Sequence, residues 1–329
     1  MRKIIVATLL ILTAAFISVA FPLATYTLTL ASFGLANVLT ELRYVNSRFN
    51  QRLNIDLRKK IVILLLIIVN LRIIQIFGML DTRISVSLEL ICVIGLVILA
   101  IPILKAKDGK LAILGILVCT ILLAGVFWIP TLMMVLLAVL HNLTPIGFIA
   151  EKLRGLQRKF ALFLCFIVFA LIPSIIISGY PENFLSSLNL VAPSANILQA
   201  GNLQFHLGAF VPRELHGSAI AQHAFSAAVF LQCMHYAVVL GLLPNWEKNK
   251  DNNFESHFLL WNHQSIYEKV VIFLSTLIFI YFVQSFTDAR KLYSIAAAVH
   301  AWVEFPILLL ALAVPAEDKN DNLISNQCF

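Results

Sequence analysis

The amino-acid sequence predicts an all-α fold, a polytopic transmembrane helical bundle with about nine or ten spans. Hydrophobic residues make up 60% of its 329 positions and charged residues only 12%, whereas about a quarter of the residues of a soluble domain are charged. Apolar runs close to the roughly 20 residues that cross a bilayer recur along the whole chain. The composition therefore excludes a single-span anchor on a soluble domain.

Ten apolar segments account for the predicted spans. They lie at about 4–21, 23–41, 61–80, 84–104, 111–129, 130–150, 160–178, 218–243, 270–286 and 292–314. The first segment has the charged start and apolar run of a signal peptide. A second apolar segment follows almost at once, so we expect the first to be retained as a span.

The positions of the basic residues predict the orientation. Most of the 24 Lys and Arg residues fall on one side if the amino terminus is cytoplasmic, and cytoplasmic loops of membrane proteins carry such an excess. We therefore predict an integral multi-pass membrane protein with a cytoplasmic amino terminus. The net charge of +7 then reflects topology and contact with anionic lipid, so the bilayer is the expected partner and nucleic acid is not.

The chain is predicted to form one integral membrane domain, residues 1–315, followed by a polar cytoplasmic tail, 316–329. The long external connection, 179–217, is too apolar for a disordered linker, so we expect it to fold back over the helices as a cap. The other long connection, 244–269, is predicted to be cytoplasmic. The five scattered cysteines are interpreted as buried apolar residues.

Polar side chains inside the predicted spans are the main indication of function, because a charged group near the bilayer centre costs about 2.5 to 3.5 kcal/mol. Those at compatible depths lie on four spans: Asn37, Glu41, His141, Gln232, His235, His300 and Glu304. His223 lies near the outer end of its span, and His206 and His216 lie in the cap. These three are expected outside the cluster.

Three of the clustered residues are histidines on different spans, and neutral imidazole is the commonest metal ligand. We therefore predict that His141, His235 and His300 bind a metal, with non-haem iron as the expected ion. A single haem between His235 and either of the other two is an alternative. Buried histidines also hydrogen-bond across helices without any cofactor, and this interpretation stays open.

The remaining polar residues of the four spans are predicted to support this site. Glu304 follows His300 by one helical turn and is expected to orient its imidazole. Glu41 and Glu304 are the predicted catalytic carboxylates. Asn37 and Gln232 are predicted to lie around the cofactor.

The segment "FGLANVLTELRY", residues 33–44, resembles an early helix of the Brp/Blh-type membrane β-carotene dioxygenases. That helix carries Gly-Leu-Pro-His followed one turn later by an acidic residue, and Gly34, Leu35 and Glu41 match it. Asn37 stands in place of the family's histidine. The stretch "VHAWVEF" is similar to the family's last helix, in which a carboxylate follows a histidine by one turn.

Two further histidines are matched to the family more loosely. His235 corresponds to a histidine of a late helix, with Val239 in place of a second one, and His141 corresponds to a middle-helix histidine. The resemblance implies a helical bundle in which histidine-bound iron and dioxygen cleave the central double bond of β-carotene to give retinal.

The resulting prediction is a membrane oxidoreductase with histidine-ligated iron that acts on a polyene or another lipid-soluble small molecule. One alternative is a single-haem redox protein. Another is a transporter or membrane-complex assembly factor without a cofactor, in which Arg72, Glu89 and Glu41 would line a solute path. The sequence contains no nucleotide motif, so transport driven by ATP through this chain alone is not expected.

Overall fold

The fold is built from α-helices. A computed structural model describes residues 2–49, 53–248 and 264–313, and this part of the chain contains no β-strand. We number its helices α1 (Arg2–Ala20), α2 (Pro22–Phe49), α3 (Ile55–Ile76), α4 (Thr82–Lys107), α5 (Gly109–Trp128), α6 (Pro130–His141), α7 (Thr144–Lys152), α8 (Gly155–Ile177), α9 (Tyr180–Ser187), α10 (Leu203–Leu207), α11 (Ala219–Gly241), α12 (Leu243–Lys248), α13 (Gln264–Gln284) and α14 (Phe286–Ala313).

The structure confirms an all-α, multi-pass membrane fold. By length and composition, seven of the described helices are able to cross a bilayer: α2, α4, α5, α8, α11, α13 and α14. The pair α6 and α7, bent by 40°, makes an eighth span if its helices are taken together. The other two predicted spans are also helical but do not meet these criteria of length and composition. The apolar part of α1, Ile5–Ala20, is too short. Helix α3 contains Arg72 and several charged residues in its first turns.

Helix α2 is the central helix of the bundle. It begins at Pro22, whose missing N–H is tolerated in a first turn, and it packs against α11, α13 and α14. It also extends to Phe49, two turns beyond its predicted end. The extension is stabilised by burial of Phe49 and by a buried ion pair in which Nε of Arg48 lies 3.1 Å from Oε2 of Glu151.

The predicted sixth span is broken in its second half. Helix α6 ends at His141 and α7 starts at Thr144, next to Pro145, which has no N–H to continue the helical ladder. The freed polar groups find local partners, since the Thr144 hydroxyl donates to the His141 carbonyl at 2.8 Å. Irregular backbone at membrane depth is tolerated where it lines a cavity, and His141 lies at such a place.

Residues 179–217 fold against the bundle on the side predicted to be external. They contain α9, α10 and a short 3₁₀ turn, and their buried side chains include Leu207 and Val211. His223, near the start of α11, contacts this segment through Glu182, with Nε2 to Oε2 at 3.2 Å. The predicted cytoplasmic tail 316–329 lies outside the described residues, as do residues 249–263 of the predicted cytoplasmic loop.

Candidate metal centre

Three helices bring the three predicted histidines together inside the bundle. His141 ends α6, His235 lies in α11 and His300 lies in α14. The ring centroid of His141 is 4.8 Å from that of His235 and 4.7 Å from that of His300. Glu41 joins them from α2, so the cluster that the sequence indicates on four spans is also a cluster in space.

Each of the two carboxylates of the cluster contacts imidazole rings. Oε2 of Glu41 lies 3.4 Å from Nε2 of His235 and 3.7 Å from Nε2 of His300. Oε2 of Glu304 lies 2.9 Å from Nδ1 of His141. Both carboxylates are fully buried, and among the described residues neither pairs with Lys or Arg.

Glu304 therefore contacts a different histidine from the one expected. Its spacing of four residues places it on the same face of α14 as His300, but Nδ1 of His300 turns back towards the Ala296 carbonyl at 3.4 Å. Side chains in a helix lean towards its amino terminus, and this moves the imidazole away from the carboxylate one turn later. The Glu304 carboxylate instead reaches His141 across the helix interface, where it also lies beside the Glu41 carboxyl group.

One group of three side chains offers donor atoms of the kinds that bind metal ions. Glu41, His141 and His300 each offer one ligand atom, and these atoms lie within 4.8 Å of one another. Donors bonded to one ion at about 2.0 to 2.2 Å in tetrahedral or facial geometry lie about 3 to 3.6 Å apart. The widest pair of these ligand atoms therefore has to approach by about 1 Å before all three bind one ion.

His235 is next to this set but is not a member of it. Its Nε2 lies 3.2 Å from Nδ2 of Asn37 and faces Glu41. The geometric donor set therefore differs from the predicted ligand set. Glu41, predicted as a catalytic carboxylate, lies among the donors, whereas His235, predicted as a ligand, lies beside them.

Many polar atoms of the cluster are buried without a hydrogen bond. They are both carboxylate oxygens of Glu41 and of Glu304, Nδ1 of His141, Nδ1 of His235 and Nε2 of His300. Nearly all buried polar groups in proteins have partners, so this concentration is unusual, and imidazole and carboxylate groups are of the kinds that bind metal ions.

The two predicted cofactor-lining residues are separated by the structure. Asn37 contacts His235 directly. Gln232 instead donates from Nε2 to the Thr29 hydroxyl at 3.1 Å, towards α2 and away from the metal donors. Gln232 lies in the wall of the adjoining cavity without touching the donor set.

A cavity of about 320 Å³ adjoins the cluster. Asn37, His141, His235 and His300 lie in its wall at one end, and residues 208–210 of the cap lie in its wall at the other. Aromatic side chains between them include those of Tyr26, Phe210, Tyr236 and Tyr293. Its volume and mainly apolar surface are typical of sites for small ligands.

Two polar residues that would line a solute path in the transporter alternative are paired with each other, and Arg72 also lies in the wall of the cavity. Nη2 of Arg72 donates to Oε1 of Glu89 at 2.8 Å, and Nε of Arg72 lies 2.7 Å from Oε2. The indole N–H of Trp302 donates to the same Oε1 at 2.6 Å. Sequence reasoning missed Trp302, because an indole inside an apolar span gives no signal of its partner.

No protein-family model matches the chain, and neither the curated proteins nor the solved structures give a significant match to it. The resemblance to the Brp/Blh-type dioxygenases stays a prediction.

Proposed function

We propose that this protein is a membrane-embedded oxidoreductase with a non-haem iron held by Glu41, His141 and His300. The observation that carries the proposal is the buried set of two imidazoles and one carboxylate, with ligand atoms within 4.8 Å of one another. Three donors of this kind leave coordination positions open, as in non-haem Fe(II) oxygenases. The adjoining cavity would hold a lipid-soluble substrate such as a polyene.

The iron would supply activation of dioxygen, and the chain's own residues have separate tasks. Glu304 holds the His141 ring through Nδ1 at 2.9 Å, a carboxylate–imidazole contact of the kind that orients metal ligands. Asn37 and His235 contact each other beside Glu41 and limit the rotation of its carboxylate. The aromatic side chains of the cavity wall would provide an apolar surface for the substrate.

The packing of the rings favours non-haem iron over haem. A haem with two axial histidines needs a flat slot between the imidazoles for the macrocycle. The His141 ring packs directly against the His235 ring, with centroids 4.8 Å apart, so this pair leaves no such slot. The other predicted pair is His235 with His300, and both of these residues are in contact with the His141 ring and with the Glu41 carboxylate.

Metal analysis of the purified full chain tests the proposal. We expect stoichiometric iron in the wild type and its loss in His141→Ala and His300→Ala. The matched control is His216→Ala, because His216 lies in the cap, where its Nε2 faces the Val211 carbonyl at 3.0 Å. Wild-type protein without stoichiometric iron, or equal loss in all three variants, would refute the proposal.

A proton-coupled transporter is the second candidate function. Glu41 and Glu304 are both fully buried, and neither pairs with Lys or Arg among the described residues. Carboxylates of this kind are common in proton relays of membrane proteins. Proton flux into liposomes that contain the iron-free protein, abolished by Glu41→Gln, would favour this candidate over the oxidoreductase.

A further inference from the structure

The cavity has a basic residue at its cap end that the metal centre does not use. Arg290 lines the cavity and lies in the first turns of α14, ten residues before His300. At 1.5 Å per residue the two positions are about 15 Å apart along the helix. The cavity thus joins a cation at one end to the metal donors at the other.

Arg290 has no carboxylate partner in the described part of the chain. Its Nη1 lies 3.1 Å from Nδ1 of His206, and its Cζ lies 5.8 Å from the centroid of the Tyr26 ring. The nearby Asp288 bonds to Lys291 and Ser285 instead. A guanidinium has five N–H donors, so most of them remain available to a ligand.

His206 keeps this guanidinium in place as a neutral acceptor. The Nε2–H group of His206 donates to the Ala200 carbonyl at 2.6 Å, which leaves Nδ1 to accept from Arg290. Burial, and then the nearby Arg290 charge, lower the pKa of His206 below its ordinary value, with the Ala200 hydrogen bond acting in the opposite direction. His206 therefore offers no negative charge to compensate the positive charge of the Arg290 guanidinium.

From this geometry we infer that Arg290 binds the carboxylate of a long-chain fatty acid whose tail lies along the cavity towards Glu41, His141 and His300. An uncompensated cation beside an apolar cavity favours an anionic ligand, and guanidinium groups bind carboxylates through paired hydrogen bonds. The aromatic wall, with Tyr26 and Tyr293, suits an apolar tail. The inference rests on the proposed function only where it places the fatty-acid tail at the iron site. Binding of the carboxylate to Arg290 is measurable without iron.

Oleate binding to the purified full chain in detergent tests the inference, by titration calorimetry with methyl oleate and acetate as comparison ligands. We expect oleate to bind, and methyl oleate to bind about 10- to 100-fold more weakly, because a hydrogen bond to a charged group contributes about 1.5 to 3 kcal/mol. Arg290→Gln should weaken oleate binding by a similar factor. Lys291→Gln, an exposed neighbour on the same helix, should leave binding unchanged.

Equal binding of oleate and methyl oleate would overturn the inference with the wild-type protein alone, even if Arg290→Gln fails to fold. Acetate that competes with oleate at equal concentration would also overturn it, because a simple anion site would then explain the binding. Iron content is measured on the same samples. If the protein contains iron but does not bind oleate selectively, only this inference is refuted. If it binds oleate selectively but contains no iron, only the proposed oxidoreductase function is refuted.

Discussion

Replacing Glu41 with Gln should have opposite effects on metal binding and on the stability of the metal-free protein. The carboxylate is fully buried, and its titratable neighbours are the imidazoles of His235 and His300, at 3.4 and 3.7 Å, and the Glu304 carboxyl group. With iron bound, the metal compensates its charge. Without iron, a buried carboxylate without a cation costs about 3 to 5 kcal/mol, and Gln of nearly the same shape avoids that cost.

The size of the effect is measurable by thermal unfolding in detergent. At about 2 °C per kcal/mol, a cost of about 3 to 5 kcal/mol corresponds to about 6 to 10 °C. We expect Glu41→Gln to lose iron, yet to melt about 6 to 10 °C above the wild type after both are treated with a chelator.

Two glutamates provide controls for this comparison. Glu214 is exposed in the cap, so Glu214→Gln should follow the wild type with and without chelator. Glu151 forms the buried pair with Arg48, so Glu151→Gln should melt lower in both conditions. A Glu41→Gln protein that keeps its iron, or that melts no higher than the chelated wild type, would show that Glu41 is not a metal ligand.

Three further predictions concern other parts of the fold. Glu89→Ala should lower the free energy of unfolding by about 3 to 5 kcal/mol, because it leaves the Arg72 guanidinium and the Trp302 indole without their partner; a melting temperature equal to that of the wild type would contradict this. Since the pKa of His206 is lowered in the folded cap, its contribution to stability is present above the ordinary value of about 6.5 and is lost as the pH falls below it. Hydrogen exchange, corrected for intrinsic rates, should show weaker protection of residues 203–211 at pH 5.5 than at pH 7.5, and His206→Gln should remove this difference. Gly179 has φ of +78°, so Gly179→Ala should speed limited proteolysis of the cap through strain of about 1 to 2 kcal/mol, whereas Gly217→Ala should not.

The approach of the three histidines was predictable because it depends on simple quantities. Span order and helical rise set the depth of His141, His235 and His300, and the cost of polar groups in lipid turns them towards the bundle interior. The same reasoning placed Asn37 beside them and left His223 with the cap, and the structure agrees in both cases. Depth and burial therefore carry most of the information about which residues share a site.

The contacts within the site depend on quantities that the sequence does not contain. The pairing of Glu304 with His141 depends on the rotamer of His300 and on how α14 crosses α6. In the sequence, Arg290 only adds to the number of basic residues predicted to be external. Its contact with His206 could not be predicted, because His206 lies 84 positions away in an irregular segment. Long-range pairs of this kind are set by helix packing, which apolar periodicity does not determine.

The break between α6 and α7 links the fold to the proposed chemistry. An unbroken helix through residues 142 and 143 would keep the carbonyl of His141 in the helical ladder and would continue α6 straight past the cluster. The break, with Thr144 bonded back to His141, lets α7 turn by 40° towards α14 while the imidazole stays in contact with Glu304. Pro145→Ala restores a backbone N–H and favours the straight helix, so it should lower iron occupancy although it changes no ligand. Unchanged occupancy would show that the packing of α14 alone holds His141 in place.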